Sequence, residues 1–280
     1  MQKFADLHIH TIFSDGILTP DEVFQKAVAK NLSAISFTDH DSIDGCLYSQ
    51  SIKRDYDIEF IDGIEFSSYE DGKEYHILGY HIDLFNKQLL TTISELRLSR
   101  LKRAEKIVQK LDRLNISLSL DTILSKADQA PITRPHIAAT LVEQGYVHSL
   151  KEAFMLYLGD GCPAYEPKAQ LSCEKVISII NKAGGVAVLA HPGKFIANDV
   201  LYNMIKSGLD GIEVVHPMHD SETEKYFKKI ASQYWLVTTG GSDYHGSREY
   251  DEDNFGKYVV PYSVDRKSTR LNSSHRIPSR

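Results

Sequence analysis

Short apolar stretches recur along this chain, and each one runs directly into a histidine or an acidic residue. Residues 34–37 lead to His40, residues 186–190 lead to His191, and the last such stretch leads to Asp243. Helical patterns separate most of these stretches. Because a barrel of alternating strands and helices gathers the carboxyl ends of its strands on one face, the sequence predicts an α/β fold. We expect a closed or nearly closed barrel with its site at that face.

The first predicted strand carries two such residues close together. In the stretch FADLHIHTIFSD, alternation along a strand directs His8 and His10 to one face, and Leu7 and Ile9 to the other. Imidazole nitrogens at this spacing suit a divalent metal, and Asp15 adds a carboxylate just past the strand. Taken alone, such a pair of histidines is more often a core or surface feature, so the later strand ends decide the interpretation.

Residues of metal-ligating type are expected at the ends of the predicted parallel strands, and nine candidates result: His8, His10, Asp15, His40, Glu65, His76, His191, Asp243 and His245. The set contains imidazoles and carboxylates but no thiolate, which favours Mn²⁺, with Fe²⁺ or Zn²⁺ as alternatives, over Mg²⁺ or Ca²⁺. Nine ligands exceed the needs of one ion. We therefore expect two or three divalent ions, an arrangement that suits in-line displacement at phosphorus.

The alternation of strands and helices is interrupted in the middle of the chain. Between residues 87 and 163, apolar residues recur at helical spacing among arginines and lysines, and no strand is evident. We expect residues 1–86 and 164–264 to form the barrel, and residues 87–163 to form a helical insertion that caps the site. An ordinary pair of solvated amphipathic helices is the alternative.

Charge and composition exclude several classes of protein. The net charge of -6 argues against binding long nucleic acid through a broad basic surface, and the apolar runs are too short to span a bilayer. Three cysteines without a C-x-x-C spacing indicate neither disulfides nor a zinc knuckle, so we expect a cytoplasmic protein with reduced thiols. Residues 265–280 are basic and lack periodicity, and we expect a disordered, non-native tail.

Six segments in chain order, LHIHTIFSDG, FTDHD, GIEFS, YHILGY, LAHPGK and GSDYHG, resemble the motifs of the PHP (polymerase and histidinol phosphatase) superfamily of metal-dependent phosphoesterases. The resemblance runs from Asp6 to Val260. It implies a distorted (β/α)7, TIM-like barrel with a three-metal site. It also implies how the ligands divide: one ion among His8, His10, Glu65 and Asp243, a second among Asp15, His40 and His245, and a third bridged by Glu65 to His76 and His191.

The insertion carries the segment RPHIA after a basic run, and it is similar to the insertion of nucleoside 3′,5′-bisphosphate phosphatases and the related 5′-to-3′ exoribonucleases. The similarity implies hydrolysis of pAp to AMP and of short 5′-phosphorylated RNA. Arg134 could hold a second phosphate bidentately and His136 could add a donor, with Lys194 and His216 as weaker candidates. A surface ion pair is the alternative for Arg134. Histidinol-phosphate phosphatase and a non-catalytic metal-binding module are the alternative functions.

Overall fold

The computed structural model describes residues 3–128, 130–194 and 196–262. The expected tail, residues 265–280, lies outside the described residues. Eight strands form one sheet: β1 (Phe4–Ile9), β2 (Ala34–Phe37), β3 (Glu59–Glu70), β4 (Lys73–Tyr80), β5 (Val186–Leu189), β6 (Gly211–Val215), β7 (Val237–Gly240) and β8 (Val260–Pro261).

Most helices of the described segments alternate with these strands along the chain, but α3 to α6 follow one another between β4 and β5. They are α1 (Pro20–Ala29), α2 (Asp44–Ile52), α3 (Lys87–Asp112), α4 (Leu120–Ala127), α5 (Arg134–Glu143), α6 (Leu150–Ala153), α7 (Cys173–Lys182), α8 (Asn198–Lys206), α9 (Ser221–Tyr234) and α10 (Asp251–Asn254), with a short 3₁₀ turn at Lys53–Asp55 and a π-helical turn at Phe154–Leu158. None of these helices combines the length and the apolar character that a bilayer-spanning segment needs.

The sheet has the order β7-β6-β5-β4-β3-β2-β1-β8. Strands β1 to β3 are parallel, as are β5 to β7, whereas β4 is antiparallel to both of its neighbours. The two-residue strand β8, which the sequence did not predict, runs antiparallel to β1. Ile9 also bridges Tyr244, just beyond β7, and the His10 amide donates to the Tyr244 carbonyl at 2.9 Å. The barrel is therefore nearly closed, and the predicted α/β barrel is confirmed.

Strands β3 and β4 differ from the predicted parallel strands. They form one long antiparallel hairpin that turns at Asp71 and Gly72, both with positive φ. Glu65 and His76 thus lie within strands, and the expectation that all nine candidates stand at parallel strand ends is wrong for these two. They still share a face, because Glu65 pairs with Leu78 and His76 lies two residues from that partner along β4.

Strand β1 is irregular where it carries the site. Its register with β2 shifts between Asp6 and Ile9, as a β-bulge does. As a result, Leu7 packs in a cluster made of strand and strand-end residues inside the barrel, whereas Ile9 belongs to the cluster between the sheet and the helices. The predicted alternation of Leu7 and Ile9 on one face is wrong, but His8 and His10 both face the barrel interior.

The inserted helices have an apolar core of their own. The first half of α3 packs on the barrel through Leu89 and Leu96, whereas Ile107 and Leu111 in its second half join a separate cluster with α4, α5 and α6. This separation supports the proposed division into a barrel and a cap, with α3 connecting the two.

Candidate metal centre and cationic cleft

The segment after β7 lies directly against β1. Gly241 has no room for a side chain, since a Cβ there would be 2.4 Å from the His8 amide nitrogen. The next residue, Ser242, donates its amide to the Asp6 carboxylate at 2.9 Å. This contact brings Asp243 beside the β1 histidines, and its Oδ1 is 3.2 Å from His10 Nε2.

Ligand-type side chains converge at the carboxyl-terminal end of the barrel. In the described part of the chain, five overlapping groups have ligand atoms within 4.8 Å of one another: His10, Asp15, His40 and His245; His8, His10 and Asp243; His8, Glu65 and His191; His40, Glu65 and His76; and His8, Glu213 and His216. Each of the nine predicted ligands belongs to at least one group. The structure also adds Glu213 and His216, which the sequence did not indicate as ligands.

Glu65 is the centre of this cluster, and its side chain is fully buried. Five imidazoles surround its carboxylate. The nitrogen-to-oxygen distances are 2.9 Å to His40, 2.9 Å to His76, 3.1 Å to His191, 3.3 Å to His10 and 3.5 Å to His8. Burial raises the pKa of Glu65, but the surrounding histidines outweigh it and hold the pKa well below the ordinary value. The group is therefore a carboxylate that can bridge cations.

Several buried atoms of the cluster have no hydrogen-bond partner: His8 Nε2, His10 Nε2, Asp15 Oδ1, His40 Nδ1, Glu65 Oε2, His76 Nδ1 and His216 Nε2. Each such atom costs about 1–3 kcal/mol in a protein interior. Ligand atoms about 2.0–2.2 Å from one ion lie roughly 3–4 Å apart, which matches the distances in this cluster. The donor set and its spacing therefore fit divalent ions.

The carboxylates also make the cluster attract protons. Burial lowers the pKa of His10, but Asp243 and Glu65 raise it to about 9. In the same way, Glu65 and Glu74 overcome burial and raise the pKa of His76 to about 10. Protons and metal ions compete for the same nitrogens, so the negative potential that protonates these rings also favours divalent cations.

Two buried carboxylates that the sequence analysis missed orient this cluster. Glu213 Oε1 is 3.0 Å from His8 Nδ1, and its Oε2 accepts the His191 amide at 2.8 Å. Asp39 accepts the Thr11 amide at 2.8 Å and the Ser14 hydroxyl at 2.6 Å, which shapes the loop before Asp15. A signal was available for Glu213, since it is an acidic residue inside the otherwise apolar strand GIEVV.

A cleft between the barrel and the inserted helices adjoins the cluster at Asp15 and His40. Its lining contains four cationic side chains, Arg100, Arg103, Arg134 and Lys168, together with Ser67, Thr133, Pro135 and Phe154. Arg100 is paired with buried Asp41. Burial, and then the nearby Arg134 and Arg100, lower the pKa of Arg103 to about 10. The crowding of cations indicates an anion-binding site.

Of the two predicted cap residues, the structure places Arg134 in the lining of this cleft, whereas the described lining does not include His136. Arg134 pairs with Asp160 at 2.9 Å, so the ion pair considered for this residue is observed, and its contact with phosphate stays a prediction. His136 lies in the first turn of α5, where its Nδ1 accepts the Thr133 amide at 3.2 Å. His136 Nδ1 thus caps the start of α5, and Nε2 is the ring nitrogen that could contact a ligand.

The two weaker candidates lie elsewhere. Lys194 is exposed and pairs with Asp220 at 2.5 Å, and it is absent from the described lining of the cleft. His216 is buried within the cluster of imidazoles and carboxylates described above, here called the metal-type cluster, with its Nε2 3.7 Å from Asp243 Oδ2. Contact of Lys194 or His216 with substrate stays a prediction, and the position of His216 suits a metal ligand better.

The barrel and its cluster of imidazoles and carboxylates define a metal-dependent phosphoesterase, an enzyme that hydrolyses phosphoric esters. Residues 6–156 match the PHP domain, and the chain belongs to this family. Its barrel is shared with a crystal structure described as a metal-dependent phosphoesterase from Bifidobacterium adolescentis, with a TM-score of 0.84 and 28% sequence identity over 95% of this chain and 94% of that one.

Two relatives of known name cover most of the chain. A 3′,5′-nucleoside bisphosphate phosphatase from Chromobacterium violaceum is 32% identical over 254 residues, which is 89% of each chain. A 5′-3′ exoribonuclease from Haemophilus influenzae is 31% identical over 251 residues, 88% of this chain and 91% of the relative.

Proposed function

We propose that this enzyme removes a phosphate from nucleoside 3′,5′-bisphosphates, converting pAp to AMP, and that it also acts on short 5′-phosphorylated oligoribonucleotides. The observation that carries the proposal is the cationic cleft beside the metal-type cluster. One end of a small substrate can place its phosphate at the cluster while a second phosphate lies among the arginines. The names of the two relatives support the same substrate class.

We assign metal binding to the nine ligands predicted from the sequence: His8, His10, Asp15, His40, Glu65, His76, His191, Asp243 and His245. Two or three ions would bind there, with Mn²⁺ as the expected metal. When bound, the ions supply Lewis acidity that polarises the phosphoryl group and lowers the pKa of water. The buried atoms without hydrogen-bond partners support this assignment.

The cap residues select the substrate. Arg103 donates its Nε to the Glu166 carbonyl at 2.7 Å, so its guanidinium is anchored along one edge while it lines the cleft. Arg134 lies with its guanidinium carbon 5.5 Å from the Phe154 ring, which also lines the cleft. Such planar, positioned guanidinium groups bind phosphate bidentately. Together with Lys168 they favour substrates with two phosphates over simple monoesters.

The same charges argue against the alternatives. Histidinol phosphate carries one phosphate and an amine, so it would bring no second phosphate to Arg103 and Arg134 in this cleft. Long nucleic acid is disfavoured by the net charge of -6.

A substrate panel on metal-reconstituted protein tests the proposal. After chelation and reloading with Mn²⁺, we expect the highest kcat/KM for adenosine 3′,5′-bisphosphate, followed by short 5′-phosphorylated RNA, with histidinol phosphate and p-nitrophenyl phosphate far below. A higher value for histidinol phosphate would overturn the substrate assignment. No metal-dependent hydrolysis of any of the four, measured as phosphate or nucleotide released, would overturn the metal assignment as well.

A variant of one cleft residue distinguishes binding of the second phosphate from hydrolysis of the first. Arg103→Met should raise KM for the bisphosphate about 10- to 100-fold, the loss expected for a charge-assisted hydrogen bond, and leave p-nitrophenyl phosphate hydrolysis unchanged. Arg97→Met is the matched control, since Arg97 lies on the same helix and pairs with Asp44 on the surface. Equal effects of Arg103→Met on both substrates would contradict a second phosphate site.

A further inference from the structure

Arg248 lies three residues after His245 in the segment that follows β7, and its side chain reaches back over the metal-type cluster. Its Nη1 donates to Asp243 Oδ2 at 2.9 Å, and its Nη2 lies 3.2 Å from His245 Nε2. The side chain is 36% exposed. One guanidinium thus contacts two of the proposed metal ligands from the solvent side.

The hydrogen bonds of His245 define which of its nitrogens is free to bind a metal. Its Nδ1 is 2.8 Å from the Asp243 carbonyl oxygen, and because a carbonyl only accepts, Nδ1 carries the hydrogen. The lone pair of the neutral ring is then on Nε2. In agreement, Asp15 Oδ1 lies 3.3 Å from Nε2 and still has no hydrogen-bond partner. The nitrogen that could ligate an ion is therefore the one that accepts from Arg248.

We propose that Arg248 is a displaceable counter-cation that competes with the metal ion held by His10, Asp15, His40 and His245. Through its two contacts, Arg248 neutralises Asp243 and occupies the lone pair of His245. An ion can use that lone pair only after the guanidinium has left. This inference rests on the metal assignment under the proposed function.

Arg248 bonds Asp243 through Oδ2, whereas Asp243 Oδ1 lies 3.4 Å from His8 Nε2 and 3.2 Å from His10 Nε2. The ion of that group can use Oδ1 while Arg248 stays in place, so the competition concerns the ion at His245. In the described segments, the ligand nitrogens of the other groups accept no hydrogen bond from a lysine or an arginine, and His8 Nε2 and His76 Nδ1 have no hydrogen-bond partner at all. The ion beside Arg248 is accordingly the most weakly bound and the most easily exchanged of the set.

The segment that carries Arg248 is built so that only its side chain needs to move. The buried Asp251 carboxylate accepts the Arg248 amide at 3.0 Å and the His245 amide at 3.3 Å. These bonds hold the backbone on both sides of the proposed exchange. Rotation of the exposed guanidinium into solvent then frees both ligands without moving the loop.

Metal titration of the full-length protein, freed of metal by chelation, tests the proposal without measuring activity. Mn²⁺ binding to wild type and Arg248→Met is followed by calorimetry, with free Mn²⁺ counted by electron paramagnetic resonance. We expect the last equivalent to bind about tenfold more tightly in Arg248→Met, because the ion no longer displaces a charge-assisted pair. Earlier equivalents should be unchanged. Arg248→Gln should also tighten binding of the last Mn²⁺ equivalent, and it replaces Arg248→Met in the test if the methionine variant folds poorly.

Two further variants locate the effect. Asp15→Asn should remove one equivalent, and Arg248→Met should then have no effect in that background. Arg97→Met, on the surface of α3, should titrate as wild type.

The outcomes separate this inference from the metal assignment. A last equivalent that is unchanged or weaker in Arg248→Met would mean that Arg248 orients the ligands, and would overturn the proposal while leaving the metal site intact. No Mn²⁺ binding by the wild type would overturn both.

Discussion

Replacement of Glu65 by glutamine tests the centre of the site. The substitution keeps the size of the side chain and removes only its charge. Two of the imidazole nitrogens around it lie 2.9 Å from the carboxylate oxygens, and the buried position excludes water as a substitute. The variant should therefore keep its fold and lose metal affinity.

The size of the effect follows from the charge that is removed. At an effective dielectric constant near 20, one unit charge about 4 Å from another contributes about 4 kcal/mol, which corresponds to roughly a thousandfold in a binding constant. A divalent ion ligated by Glu65 is closer and more highly charged. We therefore expect Mn²⁺ affinity to fall at least about a thousandfold, and hydrolysis at ordinary metal concentrations to disappear.

Chelator competition with Mn²⁺ measures this loss in Glu65→Gln beside two matched glutamate variants. Glu74→Gln changes a residue 3.3 Å from the outer nitrogen of His76, so it should weaken binding only about 10- to 100-fold, as outer carboxylates do. Glu59→Gln, at an exposed end of β3, should have no effect. Circular dichroism checks that each variant is folded. Binding by Glu65→Gln within tenfold of wild type would refute the assignment of Glu65 as a bridging ligand.

Three other predictions concern protons, orientation and packing. Because the carboxylates outweigh burial and raise the pKa of His10 to about 9 and of His76 to about 10 from 6.5, their contribution to the stability of the metal-free protein is complete below pH 6.5 and is lost as the pH rises through 9 to 10. The melting temperature of the metal-free protein should fall over that range while Mn²⁺ affinity rises, and a melting temperature that increases there would contradict the pKa directions. Glu213→Gln should weaken Mn²⁺ binding about 10- to 100-fold, measured by calorimetry, since it disturbs the partner of His8 Nδ1; wild-type affinity would remove Glu213 from the site. Gly241→Ala should destabilise the protein by about 1–3 kcal/mol in urea unfolding, because its Cβ would meet the β1 backbone; unchanged stability would show that the contact is loose.

The spacing of residues along the chain was sufficient to predict many of the ligand-type residues that the structure brings together. Histidines that follow short apolar strands, such as His40 and His191, were found from the sequence because parallel strands of a barrel all end on one face. The interruption of the strand and helix alternation also predicted the inserted helices, which have a separate apolar cluster. These inferences need only the order of elements along the chain.

The hairpin of β3 and β4 could not be predicted in the same way. Glu65 and His76 meet through an antiparallel register in which His76 pairs with Ser67, and register depends on partners that alternation alone does not define. Likewise, the bulge in β1 places Leu7 inside the barrel and Ile9 outside. His8 and His10 share a face both in the predicted regular strand and in the observed bulged strand. The predicted pairing of the two histidines therefore did not depend on the error about Leu7 and Ile9.

The sequence by itself determined the family, the barrel class and nine of the eleven residues that the described structure gathers into groups able to hold a metal, because these depend on residue type and on spacing along the chain. Only the tertiary structure decided which groups surround Glu65, that Glu213 orients His8, and that Arg100 and Arg103 line the cleft. The physical reason is that each of these contacts joins residues far apart in sequence. Their distances are set by closure of the barrel and by the packing of α3 across it, which no local pattern encodes.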